Sequence, residues 1–208
     1  MSTQRSFFNR RLHSLLGVIP VGFFLIEHLY TNYHITGGKE SFVESVNWLW
    51  GIPILLVLEV LFIFLPLMYH GIYGLYIAFR ADNNVSQFGT FRNIMFMLQR
   101  VTGVITLIFV LWHIWQTRVQ VAIYGWTSTQ LADQTVAIMS NNIWLIVYMV
   151  GLLCAVFHFC NGMWSFLVSW GVTVGPRSQT ISTYIWGAVF VAMSFVGIRT
   201  ILAFASLG

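Results

Sequence analysis

Apolar residues gather along this chain into five long runs, at approximately 12–33, 53–79, 95–117, 143–169 and 181–205. Each is long enough for the roughly 20 residues that a membrane-spanning helix needs. Between them lie TGGKESFVES, RADNNVSQFGTFRN, TSTQLADQTVAIMSNN and GPRSQT, where Gly, Ser, Thr and Asn cluster as they do where a chain turns in water or among headgroups. The pattern predicts an all-α integral membrane protein with five transmembrane helices in an up-down bundle, forming one domain over 1–208. The N-terminal MSTQRSFFNRR is basic and precedes an apolar run, as in a signal peptide. The run is too long for one and no small-residue cleavage site follows, so it is expected to remain as the first span.

Composition agrees. Hydrophobic residues make up 58% of the chain and charged ones 8%, against about 25% charged in a soluble domain. A soluble fold is thereby excluded, because a globule of this size cannot hide so much apolar surface. The net charge of +4 is too small to point to nucleic acid, but its distribution sets an orientation. Arg5, Arg10, Arg11, Arg80, Arg92, Arg100 and Arg177 fall at one end of the expected bundle. Lys39, Arg118 and Arg199 fall at the other, diluted by Glu40, Glu44 and Asp133. Cytoplasmic loops concentrate Lys and Arg, so the N-terminus is expected in the cytoplasm and the C-terminus outside. Cys154 and Cys160 form no CxxC or CxxCH pattern and read as packing residues.

The candidate chemistry lies in the histidines. The chain has 6, and His28, His70, His113 and His158 fall one in each of the first four spans. At 1.5 Å of rise per residue, His28 lies about 26 Å past Arg11 and His113 about 20 Å past Arg100, both in the outer half. His70 lies about 15 Å before Arg80 and His158 about 18 Å before Trp170, both nearer the inner end. The four sort into two level pairs, His28 with His113 and His70 with His158. Paired imidazoles on different helices are what a six-coordinate haem iron takes, one nitrogen on each side of a flat macrocycle, and a bundle core is a usual place for such a site. Gly74 and Gly162 each follow an inner histidine by one turn, in HGIYG and HFCNG. They are expected to leave notches for a ring edge, and Gly17 and Gly103 can act likewise.

Other readings compete. A single membrane histidine is more often a hydrogen-bonded packing residue. Proton relays use membrane histidines too, but they come with carboxylates at mid-depth. Here Glu27 turns about 100° away from His28, and Glu59 lies near the outer end of its helix. Structural zinc calls for ligands at one depth, usually with thiolates among them.

The segments NRRLHSLLGVIPVGFFLIEHLYTNY, YHGIYGLYIAF, QRVTGVITLIFVLWHIW and HFCNGMWSF, in that order, closely resemble the cytochrome b subunit of succinate:quinone oxidoreductases. The resemblance is to the single-chain, five-helix, di-haem type of menaquinone-using bacteria, and it covers nearly the whole length. It implies a bacterial cytoplasmic-membrane anchor for a flavoprotein subunit and an iron–sulfur subunit on the cytoplasmic side. Succinate would be oxidised in the flavoprotein, and electrons would pass through the clusters and two haem b groups to menaquinone near the outer haem. His28, His70, His113 and His158 match the axial ligands of that family by position.

Within that frame the chain has no nucleotide loop or catalytic triad, so it cannot oxidise succinate alone. Glu59 is the leading candidate for a quinone-side proton group, with Glu44 behind it. Arg11, His13, Ser14 and Arg100 cluster near the inner starts of two helices, where cations and hydroxyls could neutralise haem propionates. His34 is expected at the surface. Trp48, Trp50, Trp126, Trp144 and Trp170 are expected to mark interfaces. The family also contains fumarate reductases, which run the reaction in reverse. A haem-b anchor of a membrane hydrogenase or formate dehydrogenase, and a small histidine-gated transporter, are the remaining alternatives.

Overall fold

The computed structural model describes residues 3–82 and 84–208. Among these residues there is no strand, and five helices are long and apolar enough to cross a membrane: Gln4–Gly37, Leu55–Arg80, Phe91–Tyr124, Asn142–Ser169 and Pro176–Ala205. The chain is a multi-pass membrane protein. Four of the helices outrun the apolar stretch that announced them, while the second, Leu55–Arg80, begins two residues late and ends one residue beyond its stretch. Hydropathy marks only the middle of a span, while backbone hydrogen bonding carries the helix on into polar flanks.

The first span breaks between Thr3–Val18 and Pro20–Tyr33. Pro20 has no N–H to give the carbonyl of Leu16, and its ring crowds that carbonyl. The second and third spans each contain one π-helical turn, Val60–Phe64 and Trp115–Val119. Both turns lie toward the end of the bundle opposite the N-terminus.

Two stretches expected as turns are helices. TGGKESFVES runs into Lys39–Trp50, and TSTQLADQTVAIMSNN holds Ser128–Met139. Both are short and amphipathic, with apolar residues recurring at helical spacing among polar ones, so a search for continuous apolar runs passes over them. Thr127 and Gln130 cap the second reciprocally, each side chain bonding the other's main-chain N–H. The two helices pack on each other, and Lys39 of one pairs with Asp133 of the other.

They also explain where the core lies. Phe42 and Val46 from one, and Ala132, Ile138 and Met139 from the other, join Leu29, Tyr148, Leu152, Val156, Ile201 and Phe204 in a single buried cluster. Val156 is 0% and Phe204 1% exposed. The amphipathic helices thus cover the ends of the first, fourth and fifth spans. Trp50 and Trp144, expected at interfaces, pack against this cluster.

The fourth span is central, packed most extensively on the third and fifth. Glycine permits that approach: a Cβ at Gly197 would lie 2.5 Å from Leu152 Cδ1, and small residues let membrane helices close on one another. At the N-terminal end Arg92 joins three spans. Its guanidinium lies 3.6 Å from the Trp164 ring centre and donates to Thr183 Oγ1.

Candidate functional site

The histidine nearer the basic end on the second span is His70, and its ring lies 6.0 Å from that of His158, at 81° between planes. Each is oriented from a neighbouring helix. His70 Nδ1 lies 2.9 Å from the main-chain oxygen of His13, and His158 Nδ1 lies 3.0 Å from that of Gln99. A carbonyl oxygen only accepts, so each Nδ1 carries the proton and each neutral ring keeps its lone pair on Nε2. This is how ligating imidazoles are commonly held.

Close backbone approach makes these bonds possible. A Cβ at Gly17 would collide with the His70 ring, and one at Gly103 would come within 2.7 Å of His158 Cε1. The first span can therefore present the His13 carbonyl to His70, and the third can present the Gln99 carbonyl to His158. Gln99 completes a clasp. Its Nε2 donates to the His158 carbonyl at 2.9 Å, and its Oε1 accepts from Asn161 Nδ2 at 2.8 Å.

His13 adds more than its carbonyl. Its ring stacks on His70 with centroids 4.1 Å apart and 5° between planes, and its Nε2 is buried without a hydrogen-bond partner. Gly74 and Gly162 face these supporting side chains. A Cβ at Gly74 would meet His13 Nε2 at 3.2 Å, and one at Gly162 would meet Gln99 Nε2 at 3.1 Å.

At the other level His28 and His113 lie 5.5 Å apart, at 78° between planes. Here side chains do the holding. Tyr148 donates its hydroxyl to Gln116 Oε1 at 3.1 Å, and its oxygen lies 3.3 Å from His113 Nδ1. Asn32 Nδ2 donates to the His28 carbonyl at 2.8 Å and lies 3.4 Å from the His28 Nδ1.

Two nitrogens bound to one metal at about 2 Å each hold imidazole centres about 6 Å apart. Both pairs meet that spacing, with all four rings half-buried. Among the described residues no group of three or more His, Cys, Asp or Glu side chains converges to hold a metal ion. One facing pair of imidazoles per level, from two different helices, suits an iron whose equatorial positions belong to a macrocycle and does not suit a four-ligand zinc site.

Glu59 lies just before the π-helical turn of the second span and forms a bidentate pair with Arg118, inside the π-helical turn of the third. The Arg118 Nε lies 3.1 Å from both carboxylate oxygens, and its Nη2 lies 2.7 Å from one. Glu59 also lines a cleft of about 270 Å³ together with Pro20, Phe24, Glu27, Leu58 and Phe62. Thr31 donates to Glu27 at 2.5 Å. Glu44 is exposed on the Lys39–Trp50 helix. Of the basic-end residues, Arg11 lies over the rings of Phe7 and Trp170, while Arg100 lies over Phe96 and donates to the Asp82 carbonyl at 3.2 Å. Ser14 is half-buried in the first span, three residues after Arg11. His34, expected at the surface, is half-buried with Tyr30 edge-on at 5.2 Å.

Residues 80–197 match the family of succinate dehydrogenase/fumarate reductase transmembrane subunits. The chain is also 51% identical over 204 residues to the succinate dehydrogenase cytochrome b558 subunit of Bacillus subtilis (strain 168), covering 98% of this chain and 100% of that one. The chain belongs to this family. It is a membrane subunit of an enzyme complex, and the transporter reading and the hydrogenase or formate dehydrogenase readings fall away.

Reading the sequence of this family member missed the residues that hold the histidines: Asn32, Gln99, Gln116, Tyr148 and Asn161. A signal for three of them was present. Asn32 follows His28 by one helical turn, Gln116 follows His113 and Asn161 follows His158, and residues three or four apart share a helix face. Arg118 was read only as a topology marker. Its bond to Glu59 joins residues 59 apart in sequence, which no local pattern announces.

Proposed function

We propose that this chain is the di-haem b membrane anchor of a bacterial succinate dehydrogenase. It would tether a flavoprotein and an iron–sulfur subunit at its basic, cytoplasmic end and deliver their electrons to menaquinone near its outer end. The observation that carries this reading is the set of two imidazole pairs, each on two different helices, at two depths. When bound, two haem b groups would supply one-electron carriers across the membrane. The residues do the rest. His70 and His158 would offer Nε2 at the inner level, with the carbonyls of His13 and Gln99 holding them, and His28 and His113 would do so at the outer level. His13 Nε2, Arg11, Ser14 and Arg100 supply donors and positive charge at the inner level, suited to propionates. Gly74 and Gly162 allow the supporting His13 and Gln99 to close in.

Quinone reduction consumes protons. Glu59 faces a largely apolar cleft in the outer half, where it can hold or pass a proton, and Arg118 fixes its position. Glu44 lies further out as a second group on that route. The similarity to a succinate dehydrogenase subunit supports succinate oxidation over fumarate reduction.

Reduced-minus-oxidised spectra of the purified complex test the haem assignment, because two bis-histidine components should resolve in a redox titration. Glu59→Gln should lower menaquinone reduction while succinate oxidation with artificial acceptors persists. Electrons moving outward and protons moving inward shift charge in one sense, worth about 2.3 kcal/mol per charge per 100 mV. Uncouplers should therefore slow succinate-to-menaquinone transfer in intact cells but not in detergent. If they leave it unchanged in cells, the quinone does not react at the outer end.

A further inference from the structure

Two amide side chains face each other between the third and fourth spans. Gln99 lies eight residues into Phe91–Ile114 and Asn161 eight residues before the end of Asn142–Ser169, each about two turns inside its helix. Polar side chains in a span are costly and turn toward the bundle interior, where they bond to one another or to main chain. Here every bond has a direction. Asn161 Nδ2 donates to the Met95 carbonyl at 3.2 Å and to Gln99 Oε1 at 2.8 Å. Gln99 Nε2 then donates to the His158 carbonyl at 2.9 Å, and the His158 ring returns its Nδ1 proton to the Gln99 carbonyl at 3.0 Å.

The polarity of this network is fixed. It ends at two carbonyls, of Met95 and His158, and a carbonyl only accepts. Turning either amide over would set oxygen against oxygen, so the side chains have one arrangement. That selects what glycine alone does not. Gly103 lets the third span approach until a Cβ would lie 2.7 Å from His158 Cε1, but a residue without a side chain favours no particular rotation of the ring it admits. The other histidine of the pair has no such tie. The His13 ring stacks on His70, and its Nε2 has no hydrogen-bond partner, so His70 is held by one carbonyl and by packing.

We propose that Gln99 is a positioning residue for His158. Its side chain, tied to the His158 carbonyl and to Asn161, fixes where its own carbonyl meets the Nδ1 proton. It thereby sets the rotation of the His158 ring, whose plane crosses that of His70 at 81°. Gln99 would touch no iron and would act through the ligand, as outer partners of ligating imidazoles do. The inference rests on the haem reading given above.

The test uses the whole complex with its soluble partners, in redox-titrated optical spectra and in the ferric electron paramagnetic resonance signal. The anisotropy of that signal reports the angle between the two ligand planes. Gln99→Met keeps the length of the side chain and removes both amide bonds. At a fixed ambient potential it should lower the ferric-to-ferrous ratio of the inner component about five-fold, the effect of one weakened hydrogen bond. It should also change the anisotropy of that component and leave the outer one alone. Asn161→Leu, which leaves the Gln99 bond to the His158 carbonyl, should move the same component in the same direction by less. If Gln99→Met fails to assemble, this variant carries the test. The double variant should go no further than Gln99→Met, because the network is already open.

Wild-type inner signals in Gln99→Met, equal changes in both components, or additive effects in the double variant would each overturn the proposal. A wild-type complex that resolves no bis-histidine component would overturn the haem reading itself, and this inference with it.

Discussion

The two histidine pairs lie in one bundle at similar ring separations, yet they are held in different ways. At the basic end the main chain does it: the carbonyls of His13 and Gln99 take the Nδ1 protons of His70 and His158. At the other end side chains do it, with Tyr148 and Gln116 beside His113 and Asn32 beside His28. A main-chain acceptor cannot be removed by substitution. It can only be displaced, so this pair, the inner one on the proposed orientation, depends on how closely the helices approach, and glycine sets that distance. A side-chain partner, such as the Tyr148 hydroxyl beside His113 or the Asn32 amide beside His28, can be removed while the helices stay where they are. The inner pair should therefore be sensitive to packing, and the outer pair to hydrogen-bond chemistry.

The largest effect would come from the ligands themselves. Replacing His28 or His113 should eliminate one and the same haem component in a redox-titrated spectrum, and replacing His70 or His158 should eliminate the other. Loss of one shared component from the His28 and His70 variants would dissolve the two levels on which the comparison stands.

Next in size are the glycines. Gly17→Leu and Gly103→Leu put a branched side chain where a histidine ring lies, so both should reduce inner-haem content while leaving the outer spectrum intact. Overpacking of this kind typically costs about 1–3 kcal/mol. Gly74→Leu and Gly162→Leu act one step removed, by pushing His13 and Gln99 out of place, and should impair the inner haem less. An unaltered inner component in all four variants would show that close approach is not what holds this pair.

The smallest effect is a shift in potential. Tyr148→Phe removes the acceptor beside His113 Nδ1 and leaves the helices in place. An imidazole whose N–H is hydrogen-bonded donates more electron density and favours ferric iron, so its loss should raise the outer-haem potential. One hydrogen bond is worth about 1 kcal/mol, which for a one-electron couple is some tens of millivolts, given about 59 mV per tenfold change. The inner potential should not move. A downward shift, or equal shifts in both components, would contradict the side-chain account of the outer pair.

Much of this was readable beforehand. Hydropathy located all five spans, and rise per residue alone paired His28 with His113 and His70 with His158. Both quantities are one-dimensional, because depth in a membrane is set by position along the helix. The amphipathic helices Lys39–Trp50 and Ser128–Met139 were not found, since their mixed composition resembles a polar loop until the buried face has something to lie against. Phe42 and Phe204 make the point, meeting edge to face at 5.1 Å from opposite parts of the chain.

What the sequence determined by itself is therefore the axial coordinate: which residues lie in the apolar layer, which lie at the charged end, and at what depth each histidine falls. Tertiary structure decided the rotation of each helix about its axis and the distance between axes. Those settle that the His13 carbonyl reaches His70, that Glu59 meets Arg118 and that Tyr148 lies beside His113. These contacts join residues 57, 59 and 35 positions apart. The physical reason is that periodicity along a chain fixes which side chains share a face, while the direction of that face is chosen only when a second helix packs against it.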